Sequence, residues 1–519
     1  MKGVKLAVAV GVFALISVFL VSYSFSAETG EPKGKFTYVS PSGAWEFKQI
    51  DPHTIVGSSA QEPSRILFDY LLYKDPDGQL VPDLAEKWEI SPDGLKTSFY
   101  LTKKAKFWDG TPVTAKDVKF SIERCMRPEL KFLRGGQLRR TVDRVEVVND
   151  YHVDVHFKQF DPAFIDVVAE YLAIMPKEYT EKVGDDGFAE KPMGSGPFRL
   201  VSFRADAEVI AEANTNHHRK VPYIKTVVLK TVKEPATRLA MLKTGEADMI
   251  FLFPGHIPEV QKDPGIKLMW TKHAFLRTLI YYDMGFPDEP SPFKDKRVRM
   301  AVSYAIDREA LSKLLYGAVE PWGSFLAPYH PGYDPSRTPD PYDPKKAKEL
   351  LAAAGYPNGF DTVFTGHITE PTLWQATVAM LNEVGIRARL DMPEAGTWAR
   401  YCTEGKFRGI GYGAGPWWAG RGPGSCLEAH VSGFWAPEGH PYPELKESIE
   451  NLNKAILKGP EEEAKAARAV DDLMLEKWTR RPLLFSNVVF AAGPRVESYQ
   501  NIPGQYWAFR LEYLKLKQK

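Results

Sequence analysis

Apolar and polar positions alternate in short stretches along this chain, and stretches with helical spacing lie between them. Residues 145–148 and 153–157 alternate with a period of two around the turn pair Asn149-Asp150, which predicts two half-buried strands. Residues 97–101 predict another. After Thr114, the side chains of Val118, Ile122 and Cys125 share one helical face, and Thr114 with Asp117 three positions on predicts a reciprocal helix cap. Further helices are expected over 236–242, 297–315, 344–354 and 461–478. In the second of these, Val298, Val302, Ala305 and Ile306 face inward. The third stops at Gly355 and Pro357. Strands and helices interleaved in this way predict α/β layers.

The first residues follow a different pattern. Lys2 and Lys5 precede an uncharged apolar run over 6–21, and Ser22-Tyr23-Ser24-Phe25-Ser26-Ala27 follows. That order predicts a signal peptide over 1–26, cut after Ser26. No cysteine stands at the cut to carry a lipid, and no later run is long enough to span a bilayer. The mature protein is therefore expected in the periplasm. A chain of 519 residues exceeds what one core supports and predicts two or more domains. A net charge of +1 gives no electrostatic case for nucleic acid as a partner. An oxidising compartment permits a Cys402–Cys426 bridge without requiring it, and the cysteine spacing matches no zinc pattern.

Four segments carry a family signature. The first is Pro82-Asp83-Leu84-Ala85-Glu86-Lys87-Trp88 with Ser91-Pro92-Asp93-Gly94, continuing into Phe107-Trp108-Asp109-Gly110-Thr111-Pro112-Val113-Thr114-Ala115-Lys116-Asp117-Val118. The second is Gly194-Ser195-Gly196-Pro197-Phe198. The third is Arg238-Leu239-Ala240 with Gly245-Glu246-Ala247-Asp248. The fourth is Ala305-Ile306-Asp307-Arg308-Glu309-Ala310-Leu311, followed by Pro331-Gly332-Tyr333-Asp334-Pro335 and Ala354-Gly355-Tyr356-Pro357. Together and in this order they resemble extracellular solute-binding protein family 5, the oligopeptide, dipeptide and nickel receptors of ABC importers.

The resemblance implies a two-lobed α/β periplasmic-binding-protein fold, a Venus flytrap, with an extra inserted subdomain. Lobe I would comprise 27–53, 193–272 and 488–519, with a subdomain over 54–192 inserted, and lobe II would comprise 273–487. It implies a monomer that captures a small-molecule or peptide ligand and delivers it to a membrane permease, with no cofactor, no metal and no catalysis. A ligand sensor or a hydrolase on the same scaffold is the alternative.

Candidate ligand contacts follow from the same resemblance. Gly57 and Ser58 lie in a loop expected to run along an extended ligand, offering backbone groups as an added strand would. Arg134 sits in a region that approaches the cleft in relatives. Residues 411–421 end in Trp417, Trp418, Gly420 and Arg421. Peptide receptors carry an aspartate for the ligand's ammonium where this chain has Gly420. Its absence predicts an anionic or aromatic-bearing solute over free peptides, gripped by Arg421 and flanked by the tryptophans. Phe485 and Asn487, near a hinge crossing, complete the set.

Enzyme motifs are not assembled. Ser291-Pro292-Phe293-Lys294 and Lys243-Thr244-Gly245 occur in the wrong order for penicillin-interacting serine enzymes, and Pro292 spoils the required helix. The glycines at 409, 411, 413 and 415 are followed by no helix start for phosphate. His152, Asp154 and His156 share a strand face expected to be an exposed polar surface. His217-His218 stands where relatives carry other residues, with no second sign of metal.

Overall fold

The structure is a computed structural model that describes residues 31–41, 49–54, 58–75, 79–286, 288–404, 406–414, 422–431, 442–499 and 510–517. The expected signal peptide lies outside them.

Two long strands organise the chain. Lys267–Tyr281 and Arg480–Ala492 run antiparallel along one another at the middle of an 11-stranded sheet. Met249–Phe251, Lys33–Ser40, Ile224–Thr231, Glu208–Ala213 and Phe198–Arg204 extend the sheet to one side. Ile410–Ala414, Phe360–Thr365 and Ile386–Asp391 extend it to the other, and the eleventh strand, Val319–Pro321, pairs with part of Arg480–Ala492 off this path. Arg480–Ala492 is buried at every position but Arg481, and Lys267–Tyr281 is buried from Leu276 onward, as strands covered on both faces should be. Their ladder is interrupted between Thr271 and Phe275, where Lys272-His273-Ala274 bulges opposite Asn487. His273 there takes a φ of 52°, the left-handed region that non-glycine residues rarely occupy.

Separate cores form on the two sides of this bulge. One gathers Phe36, Tyr38, Phe198 and Phe490; another gathers Tyr281, Val298, Val302, Phe364, Trp374 and Leu483. A third surrounds a four-stranded antiparallel sheet in the order Ala85–Ile90, Lys96–Leu101, His152–Phe157, Val142–Asn149.

The signature segments prove to be packing devices. The chain at Gly194 and Gly196 passes directly over Leu67. A Cβ on Gly194 would strike the Leu67 carbonyl oxygen, and one on Gly196 would lie 2.5 Å from its carbonyl carbon. Only glycine permits this approach, which lets the Gly196 N–H donate to the same carbonyl at 3.1 Å. Asp109 accepts from the backbone and hydroxyl of Thr111 and shapes the turn at Gly110, whose φ is 92°. Asp117 accepts from the Thr114 N–H at 2.8 Å, the cap read from the sequence.

One helix differs from its prediction. The expected span 297–315 is two helices, Lys296–Tyr304 and Arg308–Leu314. Asp307 causes the break: its carboxylate accepts from the Ala310 N–H at 2.8 Å and starts a new helix. The periodicity of Val298, Val302, Ala305 and Ile306 still holds, because all four are buried. Cys426 is a buried free thiol directed at the Phe325 carbonyl, 3.7 Å away; the Cys402 side chain lies outside those described.

Burial also sets one pH-dependent term. Glu62 lies in the helix Ser58–Leu67 beside Tyr38, and burial pushes its carboxyl up to about 8. The folded state therefore keeps a proton that the unfolded chain releases near pH 4.5. This contribution to stability is complete below pH 4.5 and lost as pH rises through about 8. Glu62→Gln should raise Tm at pH 8–9 and leave it unchanged near pH 4.5. Superimposable Tm profiles for mutant and parent would show that Glu62 ionises freely.

Candidate ligand-binding cleft

A cavity of about 350 Å³ opens beside the bulge. Its walls are mostly apolar: Phe251 and Phe253 on one side, Phe275, Leu315 and Val319 near the crossing, and Leu373 and Tyr412 on the other. Such a lining with a few convergent polar groups is the usual form of a small-molecule site.

The polar groups cluster at one end. Arg277 lies in the buried half of the strand Lys267–Tyr281 and is only 6% exposed. Its Nε donates to Ser486 Oγ at 2.6 Å, and its Nη2 pairs with Glu370. The guanidinium also lies over the rings of Tyr412 and Trp374, at 5.5 and 5.8 Å, and those rings stack on each other at 4.3 Å. Glu370 immediately precedes the helix Pro371–Glu383. Burial raises its carboxyl above the ordinary range, and Arg277 offsets part of that rise. His367, on the same loop, is held down to about 4 by burial and by the Arg277 charge, so it is neutral at pH 7. The cavity thus holds one cation, one anion and a neutral imidazole against aromatic walls.

Asn487 borders this cavity and ties the bulge together. Its Oδ1 accepts from the His273 N–H at 3.0 Å, its Nδ2 donates to Glu320 at 2.8 Å, and its N–H donates to the Ala318 carbonyl at 2.9 Å. Glu320 is held down to about 2, chiefly by its hydrogen bond to His273. Phe485 is 1% exposed and packs edge-on against His273 and Trp322, so it supports the crossing and does not line the cavity.

The remaining candidates are placed elsewhere. Ser58 opens the helix Ser58–Leu67 and does not continue an extended edge, a correction to the added-strand expectation; Gly57 lies outside the described residues. The chain leading toward that point is clamped by Arg124, which is fully buried and donates to both oxygens of Asp51 at 3.0 and 2.6 Å. Arg134 sits over the Tyr171 ring, 5.4 Å from its centroid, away from the cavity. Trp417, Trp418, Gly420 and Arg421 lie outside the described residues. His152 and His156 pair separately with Asp154 and Glu146. Ser291 caps a short turn and Lys294 donates to the Glu289 carbonyl, so neither is poised as a nucleophile or base. Sequence reading missed Arg277 and Glu370. A lone arginine within Ala274-Phe275-Leu276-Arg277-Thr278-Leu279 was the available signal, because a charge inside a buried strand needs a purpose or a partner.

The model for bacterial extracellular solute-binding proteins, family 5 (middle region) matches residues 79–424. The chain belongs to this family. Over 357 residues it is 31% identical to a glutathione-binding protein, GsiB, of Salmonella paratyphi A, covering 67% of this chain and 68% of that protein. An ABC transporter-associated periplasmic binding protein, DppA of Helicobacter pylori, solved with the peptide STSA, matches with a TM-score of 0.77 at 22% identity, over 93% of this chain and 98% of that one. AgaA of A. tumefaciens R10, solved with agropinic acid, matches with a TM-score of 0.76 at 23% identity, over 94% and 99%. The fold is the two-lobed α/β architecture of this family's binding proteins. No helix among the described residues is long and apolar enough to cross a membrane.

A hydrogen-bonded cluster ties the helix Phe164–Glu170 to Gly422 and Ser425, and the closure proposed below would draw on it. Asp166 is buried and paired with Lys74 at 3.2 Å, and its second oxygen accepts from Ser425 Oγ at 3.2 Å and from the Gly422 N–H at 3.4 Å. Burial would lower Lys74, but Glu170 and Asp166 together hold it above its usual range, so it stays charged. Ser425→Ala removes one link of this cluster without unpairing Lys74. It should weaken solute affinity about two- to tenfold, the worth of one such hydrogen bond, with Tm of the empty protein unchanged. Isothermal titration reads the effect, and parental affinity in the mutant would mean the contact does not hold the closed state.

Proposed function

We propose that this protein is the periplasmic receptor of an ABC importer and that its solute is small, peptide-like and zwitterionic. It encloses that solute between lobes divided at residues 272/273 and 487/488, bonds none of it covalently, and presents it to a membrane permease. The single observation that carries the ligand class is the Arg277–Glu370 pair inside an apolar cavity.

A solute entering this cavity loses water around its charges, so each charge needs an opposite partner there. Arg277 offers a planar fork to a carboxylate. Glu370 offers an acceptor to an ammonium. A solute carrying both groups can insert between them and leave the site neutral. A simple anion would satisfy Arg277 and strand Glu370; a simple cation would do the reverse. The missing aspartate at Gly420 therefore does not exclude free amino groups, because Glu370 supplies a counter-charge from another loop. The relatives agree in chemistry: glutathione, the peptide STSA and agropinic acid, named for three of them, all carry carboxylates.

Thermal-shift screening should find stabilisation by small peptides, glutathione or amino-acid conjugates, since a ligand bound only to the folded state raises Tm. Blocking either the amino or the carboxyl end should abolish it. Arg277→Ala and Glu370→Gln should each weaken binding by tenfold or more, about 1.4 kcal/mol or above. Recovery of the solute unchanged after incubation accompanies this outcome. Stabilisation by doubly blocked analogues, or undiminished affinity in both mutants, would remove the pair from ligand recognition.

A further inference from the structure

A second cluster of chemistry lies where four chain segments meet, outside the cavity just described. Asp69 follows the helix Ser58–Leu67, Asp83 follows the strand Leu80–Pro82, and His217-His218-Arg219 lies between the strands Glu208–Ala213 and Ile224–Thr231. Glu512 comes from the last turn, Leu511–Tyr513. The side chains of Asp69, Asp83, His217 and Glu512 are at most 1% exposed, and that of His218 is 6% exposed.

The geometry is that of converging donors. His217 Nε2 is 3.0 Å from Asp69 Oδ1, and His218 Nε2 is 3.4 Å from Asp69 Oδ2 and 3.5 Å from Asp83 Oδ1. Asp69, His217 and His218 each place a ligand atom within 4.8 Å of the others'. Two donors on one tetrahedral zinc ion, with bonds of about 2.0–2.1 Å, stand about 3.3 Å apart. His218 Nε2 and Asp69 Oδ2 face each other near that spacing as a buried ion pair, too long for a hydrogen bond of good geometry and of the right span for a shared ion.

The surroundings suit an ion. His217 Nδ1 meets the Lys220 carbonyl at 3.0 Å, the backbone contact that commonly orients a metal-bound imidazole and leaves Nε2 for the metal. Arg219 pairs with Asp83, with Glu512 at 3.0 Å and with Asp69 at 3.8 Å, and Arg510 lies 3.5 Å from Glu512. Asp69 is the acid that meets both imidazoles. We propose that Asp69, His217 and His218 form a structural site for a divalent transition metal, with Zn²⁺ the ion that two imidazole nitrogens and one carboxylate suit best. Asp83 or a water would complete four-coordination. The ion would pin the 217–220 loop to the segment that enters the four-stranded sheet, as a staple independent of the transported solute.

The test uses the full mature protein, purified without a histidine tag. Elemental analysis should find one Zn²⁺ per chain, or titration of chelator-treated protein with Zn²⁺ should restore one. Chelation should lower Tm and Zn²⁺ should recover it. His217→Ala and His218→Ala should each cut Zn²⁺ affinity by about tenfold or more, while His156→Ala leaves it unchanged. Should the alanine variants fail to fold, the milder His218→Gln and the titration of parental protein still decide the matter. Parental protein that takes up no Zn²⁺, Ni²⁺ or Co²⁺ would overturn the proposal and leave a buried network of ion pairs. So would uptake that persists undiminished in folded His217 and His218 variants.

Discussion

Everything in this structure depends on two strands shared by both halves of the sheet. Lys267–Tyr281 and Arg480–Ala492 are paired along most of their length; the wider of two register shifts is the three-residue bulge opposite Asn487, and a smaller one falls between Arg277 and Thr278. A continuous ladder would make the sheet a single plate. A complete break would separate the halves. The bulge concentrates bending at a few backbone torsions, with the left-handed His273 held by the Asn487 carboxamide. Hinges of this type move rigid bodies while leaving each core intact.

The cavity inherits its chemistry from that crossing. Arg277 lies just beyond the bulge, so the strand that bends also carries the principal charge of the site. Glu370 and His367 reach it from a neighbouring loop. Removing water from such a site makes each charge dependent on a matching one, which turns electrostatics into selectivity. In the closure proposed here, the Asp166–Ser425 contact would be a second tie between the halves. It contributes little energy alone, but a few such bonds suffice where closed and open forms differ by a few kcal/mol.

The scaffold was legible in the sequence because its signals are local. Helix caps such as Asp117, turn pairs such as Asp109-Gly110, and the close approach at Gly194 and Gly196 are written in adjacent residues. The long helix was misjudged because apolar periodicity continues across Asp307, whose capping role competes with it and wins. The cavity was much less legible. Arg277 and Glu370 lie 93 positions apart and meet only through the sheet. Phe485 looked like a ligand contact from its place near the hinge, yet the packing of His273 and Trp322 encloses it. His217-His218 carried no meaning until Asp69, 148 positions away, was folded against it. Chemistry assembled across long separations leaves almost no trace in a single sequence.

Small-angle X-ray scattering of the mature protein, with and without a saturating zwitterionic solute found by thermal shift, tests the central claim most directly. Hinged closure around a guest predicts a smaller radius of gyration and a shorter maximum dimension on binding, reversed when the solute is dialysed away. An identical scattering profile at saturation would contradict two bodies bending about the His273–Asn487 crossing.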